Sequence, residues 1–141
     1  MGLERFVEAQ DEGGVYDRAL DELRAGRKQS HWMWFVFPQL RGLGSSPMAQ
    51  RFAIADLAEA RAFAAHPVLG ARLRECCDAV EADGSSDAVA IFGSIDALKF
   101  RSSLTLFLRA APDDLRFARL LDRFYGGEPD ARTDELLASD G

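Results

Sequence analysis

The sequence predicts a mainly α fold, a compact single domain of about six to seven helices with an ordered, irregular aromatic segment near residues 27–47. Three observations carry this expectation. Apolar residues recur at 3–4 spacing through most of the chain, which gives each helix one buried stripe. Proline and glycine fall between those stripes, where they stop helices. The run Trp32 to Phe37, inside "SHWMWFVFPQLRG", is apolar without period two or 3.6, so it must be buried on every side. At 141 residues the chain fits one domain of the usual ~100–200 residues, able to bury roughly 68% of its unfolded surface.

Taken in order, Arg5 to Gln10 reads as a short first helix. Val15 to Ala25 reads as the second, with Tyr16, Ala19, Leu20 and Leu23 on its buried face and Gly26 as its cap. Pro38, Gly42, Gly44 and Pro47 then break any long helix. Asp56 with Glu59 makes a capping-box variant, opening a helix that stops near His66, before Pro67; His66 is expected to interact with the terminal carbonyls. Pro67 suits the first turn of the next helix, striped by Leu69, Leu73, Cys76 and Val80. After the turn "ADGSSD" comes a short apolar run, Ala88 to Phe92. Ser94 or Asp96 starts a helix carrying Phe100, Leu104, Phe107, Leu108 and Ala111, and Pro112 ends it. Asp113 or Asp114 caps the next, with Phe117, Leu120, Leu121 and Phe124 buried. Gly126 in "YGGEPD" supplies a left-handed cap. Asp130 caps a last helix through Leu137, and the tail, about 138–141, is expected to fray.

Several function classes are disfavoured by composition. Net charge is -6, which argues against an extended nucleic-acid surface. No run of ~18 apolar residues is present, so no membrane span is expected. The first residues, "MGLERFVEAQDEGG", are too acidic for a secretory signal, and Phe6 stands where myristoylation wants Ser or Thr. Cys76 and Cys77 are neighbours with neither disulfide nor metal spacing, and two separated histidines make no zinc site. A cytoplasmic protein without metal or cofactor is expected. Walker A, GxGxxG and GxSxG motifs are absent.

The distribution of charge is more informative than its total. No acidic residue lies between Glu22 and Asp56, where Arg24, Arg27, Lys28, Arg41 and Arg51 fall. A second acid-free window, from Ala97 to Pro112, holds Lys99, Arg101 and Arg109. Arg27 and Lys28 with Ser30, and Lys99 and Arg101 with Ser102 and Ser103, set cations beside hydroxyls, a phosphate-holding chemistry. His31, Trp32, Trp34 and Gln39 would form an aromatic wall against which a planar ring can stack. "RGLGSSPM" adds backbone amides that can approach an anion. The expected partner is an anionic small molecule, nucleotide- or ADP-ribose-like, with N-glycosidic hydrolysis the first reaction to test. No catalytic residue is fixed; His31, Glu8 and Asp130 are the candidates, with helix capping the plainer role for Asp130. The alternative is a non-enzymatic interaction module or homo-oligomer whose aromatic run is core.

The strings "RFVEAQ", "GRKQSHWMWFVFPQLRGLGSSPMAQRFAI", "HPVLGARLRECC", "LKFRSSLTLF" and "RFYGGEPDARTDELL" resemble the domain of unknown function 1810 family over nearly the whole chain. Some members carry the label calpastatin, a transferred misnomer. The resemblance implies a small, mostly helical bacterial protein and no particular reaction. A more distant likeness, through "FVEAQ" and "FYGGEPD", connects the chain to the NADAR family of NAD and ADP-ribose metabolism. It implies that Phe6, Glu8, Gln10, Trp34, Tyr125 and Asp130 line a common cleft, although that family's paired glutamate and lysine are not reproduced around Gln10.

Overall fold

The computed structural model describes residues 2–140. Its helices are α1 (Glu4–Asp11), α2 (Val15–Arg24), α3 (Met33–Val36), α4 (Pro47–Arg51), α5 (Leu57–Ala65), α6 (Leu69–Ala82), α7 (Ala88–Phe92), α8 (Ser94–Ala110), α9 (Leu115–Tyr125) and α10 (Ala131–Asp140). The fold is mainly α. Among the described residues there is no strand, only an isolated parallel bridge between Leu40 and Ile54, and no helix long and apolar enough to cross a membrane.

The seven longer helices are those the periodicity predicts. The additional α3, α4 and α7 are single turns of four or five residues, too short to display a 3.6-residue period. Two of them sit inside or at the end of the aromatic segment, which is more helical than its prolines and glycines suggest. α10 runs past Leu137 to Asp140, and the Ser139 hydroxyl donates to the Glu135 carbonyl at 3.0 Å. Gly141 lies outside the described residues.

Capping fixes the helix ends largely as the side chains dictate. Asp56 Oδ1 accepts the Glu59 N–H at 2.8 Å, while Glu59 Oε1 reaches back to the Ala55 N–H at 2.8 Å, one residue beyond the usual box. Asp114 caps α9, and Asp130 Oδ2 accepts from the N–H and hydroxyl of Thr133 at the start of α10. His66 differs from expectation. Its Nδ1 accepts the N–H groups of Val68 and Leu69, each at 3.1 Å, so it serves the start of α6 rather than the carbonyls of α5. Gly70 lets α6 approach α5 closely, since a Cβ there would collide with the Ala64 carbonyl oxygen.

α8 is the central helix, buried from Ser102 through Phe107 and packed against α5, α7, α9 and α10. Aromatic contacts knit the core. Phe6 meets Phe63, and Phe63 meets Phe107, which meets Phe117. A second cluster joins the aromatic segment to α8: Phe37 lies 4.9 Å from Phe100, which stacks on Phe92 at 4.5 Å. Such ring pairs add about 0.5–1.5 kcal/mol each beyond area burial. On the opposite flank, α6 and α9 are joined by Arg116–Asp78 (2.8 Å), Arg119–Glu81 (2.9 Å) and Arg74–Asp114 (2.8 Å).

Candidate functional site

The chain after α2 is organised by one carboxylate. Glu22 Oε1 accepts the backbone N–H groups of Gln29 (2.8 Å) and Ser30 (3.0 Å) and the Trp32 indole N–H (2.9 Å), while Oε2 accepts the Ser30 hydroxyl (2.6 Å). Burial acts to raise the Glu22 pKa, but these bonds outweigh it and hold the carboxyl down at about 2. The fully buried Trp32 is thereby fixed in the core with its one polar atom satisfied. Trp34, within α3, is only half-buried.

Beside Trp34 lies a cleft of about 360 Å³, walled by Lys28, His31, Trp32, Trp34 and Phe92 on one side and by Gly93 to Asp96 with Lys99 on the other. Its polar centre is a triad. Lys28 Nζ lies 2.8 Å from Asp96 Oδ2 and donates to the Ser30 carbonyl at 2.6 Å. Lys99 Nζ stands 3.6 Å from Asp96 Oδ1, beyond hydrogen-bonding distance. Each ammonium also rides over an indole, Lys28 at 5.1 Å from Trp32 and Lys99 at 5.4 Å from Trp34. The first turn of α8 opens on the same cleft, and no side chain caps it. Gly93, with φ 83°, turns the chain from α7 into α8 there.

A family model described as protein of unknown function (DUF1810) matches residues 1–137. The chain belongs to this family. A crystal structure of a conserved hypothetical protein from Mycobacterium tuberculosis is 53% identical to this DUF1810 chain, covers 96% of each chain and superposes with a TM-score of 0.92. No curated protein matches it. Neither finding supports the distant NADAR likeness.

The DUF1810 fold brings together part of the predicted site. Lys28, His31, Trp32, Trp34 and Lys99, drawn from both acid-free windows, border one cleft. The others go elsewhere. The exposed Arg27 is outside the cleft lining. Ser30 is committed to Glu22. Gln39 borders a separate small crevice on another side of Trp34, with Gly42 and Gly44. Arg101 pairs with Glu128 at 3.2 Å and covers the Tyr125 ring, whose hydroxyl donates to the Ala97 carbonyl. Burial pushes that phenol above its usual range, which keeps it a donor. Ser102 is buried and bonds back to the Leu98 carbonyl at 3.2 Å, a helical habit of Ser. Ser103 is buried with an unpaired hydroxyl.

The three catalytic candidates do not converge. His31 is at the indole cleft and Asp130 caps α10. Glu8 lines a different cleft of about 720 Å³ between α1 and α4, among Arg5, Arg41, Arg51, Glu4 and Glu59. The common cleft implied by the NADAR likeness is likewise not formed. Phe6 is core, and Gln10 is buried, donating to the Phe35 carbonyl at 2.8 Å and accepting from Arg72 at 3.2 Å. Burial lifts both cysteine thiols, Cys76 to about 12, so neither is a ready nucleophile. Among the described residues no three His, Cys, Asp or Glu side chains are grouped to hold a metal ion.

Sequence reasoning missed Asp96 and the α7–α8 junction. Asp96 sits one residue before the second acid-free window, and Glu22 one residue before the first. The signal was available: Asp96 and Lys99 are three apart in a predicted helix and so share a face.

Proposed function

We propose that this protein binds a small anionic molecule bearing a planar ring, nucleotide- or ADP-ribose-like in its chemistry, in the cleft between α3 and the start of α8, and that it works in the cytoplasm. One observation carries the reading. Two lysines share a single carboxylate beside a half-buried indole, leaving a sheltered positive charge next to a stacking surface. The Lys99 ammonium makes no hydrogen bond to the described residues, so its N–H donors are open to a ligand anion. The uncapped first turn of α8 favours the same sign of charge. Asp96 is held by Lys28 at 2.8 Å, and the reading is of binding before hydrolysis. N-glycosidic cleavage remains the reaction to assay alongside it.

A melting-temperature titration with 3′,5′-cyclic AMP, AMP, NAD and ADP-ribose tests this, a rise with any one of them supporting the cleft. The expected result is a concentration-dependent rise that Lys99→Gln abolishes. No shift at millimolar ligand would overturn the reading. A second reading, a homo-oligomer or partner surface, draws support from Val89, Ile95 and Leu98, exposed by 56, 69 and 66% around the same junction. Light scattering on the wild type and on Ile95→Asp separates the two: a mass above the monomer that falls in the variant favours the interaction surface.

A further inference from the structure

We infer that the cleft selects a ligand with one planar ring system and a single negative charge, and that Asp96 is the residue that rejects a second charge. This rests on the anion-binding reading above and narrows it. The ionic groups facing the cleft are Lys28, Lys99 and Asp96, with His31 at its rim. Lys28, Lys99 and Asp96 together sum to one positive charge. Lys28 is 7% exposed and holds both the Ser30 carbonyl and Asp96, so its charge is already matched. What remains is the Lys99 ammonium over the Trp34 ring.

A monoanion can pair with Lys99 and lay its ring along the indole while Asp96 stays with Lys28. A second negative charge on the same ligand finds no further cation among the cleft's side chains and lies against the Asp96 carboxylate. Size argues the same way. About 360 Å³ is near the lower end of ~300–1,000 Å³ for ligand pockets, which suits one ring system and one anionic group. Two kinds of molecule share this chemistry. One is a nucleoside phosphodiester such as a 3′,5′-cyclic nucleotide, which carries one charge where a phosphomonoester carries about 1.5 to 2. The other is an aromatic carboxylate.

Isothermal titration at pH 8, where an ordinary histidine is neutral, reads the selection directly. The nucleotide arm is adenosine, 3′,5′-cyclic AMP, AMP and ADP-ribose. The carboxylate arm is 1-naphthamide, 1-naphthoate and naphthalene-1,8-dicarboxylate. In the arm that contains the natural chemistry the monoanion is expected to bind at least tenfold more tightly than the neutral or dianionic member. Asp96→Asn should raise the dianion-to-monoanion affinity ratio about tenfold. Lys99→Gln should weaken the monoanion at least tenfold while leaving the neutral member unchanged. The wild-type ranking stands by itself if Asp96→Asn fails to fold. A dianion that binds wild type as well as the monoanion overturns charge selection and leaves the anion cleft intact, as does an unchanged ratio in folded Asp96→Asn. Silence from every probe overturns the cleft itself and this inference with it.

Discussion

The α6–α9 seam and the segment from Gly26 to Arg51 use their cations in opposite ways. Along the seam Arg74, Arg116 and Arg119 each meet a carboxylate at 2.8–2.9 Å, and Arg123 donates to the Glu81 and Ser85 carbonyls. In the aromatic segment Arg27, Arg41 and Arg51 form no ion pair with any described residue, and Lys28 shares its carboxylate with Lys99. The seam's acidic and basic residues face each other from two helices, so they neutralise locally. The aromatic segment has no acid of its own, and the carboxylates at the window edges, Glu22 and Asp96, are bonded back onto it. Locally matched charge serves packing, whereas charge in excess is what a ligand can find.

The two tryptophans give the sharpest way to break this contrast. Trp32→Ala removes a fully buried ring and should lower unfolding free energy by about 3–5 kcal/mol in urea denaturation. Trp34→Ala, at a half-buried position, should lower it by roughly 1 kcal/mol while removing ligand-induced stabilisation. Equal losses would mean that Trp34 is as much core as its neighbour.

Next in size is the pH dependence contributed by Glu22. Its folded pKa, about 2, lies below the unfolded value of about 4.3. The stabilisation is therefore complete above about pH 5 and is lost as pH falls through 4.3 towards 2. Allowing for partial exposure, it amounts to about 2 kcal/mol. Glu22→Gln should flatten that part of the acid-unfolding curve.

The seam predicts a smaller effect. Arg116→Met should cost about 1 kcal/mol or less, and added salt should shrink the difference, because its carboxylate partners are partly solvated. Smallest is Ser103→Ala. Its hydroxyl is buried without a partner, so removal should leave stability unchanged or raise it by up to about 1 kcal/mol.

Helices long enough to repeat a stripe were legible in the sequence, as were most of their caps: Asp56, Asp114, Gly126 and Asp130 act where side-chain chemistry says they should. α3, α4 and α7 were not legible, because one turn shows no period. At the site, the meeting of Lys28 and Lys99 near Trp34 follows the composition windows, whereas the Asp96 they share is visible only in the helical spacing. A window counts charge along the chain, and a helix brings residues three apart onto one face. Arg27 and Lys28 show the same limit. They are adjacent in sequence, yet only Lys28 reaches the cleft, its N–H anchored at 2.7 Å to the Ile91 carbonyl of α7.

The Glu22 carboxylate has one more consequence. It accepts the amides of Gln29 and Ser30 from a helix whose own face is buried in the core. Those two loop amides are thus tied to α2, and their protons should exchange with deuterated solvent as slowly as that helix opens, not at the pace of an exposed loop. A stretch without regular structure is then tied, kinetically, to the helix that holds it.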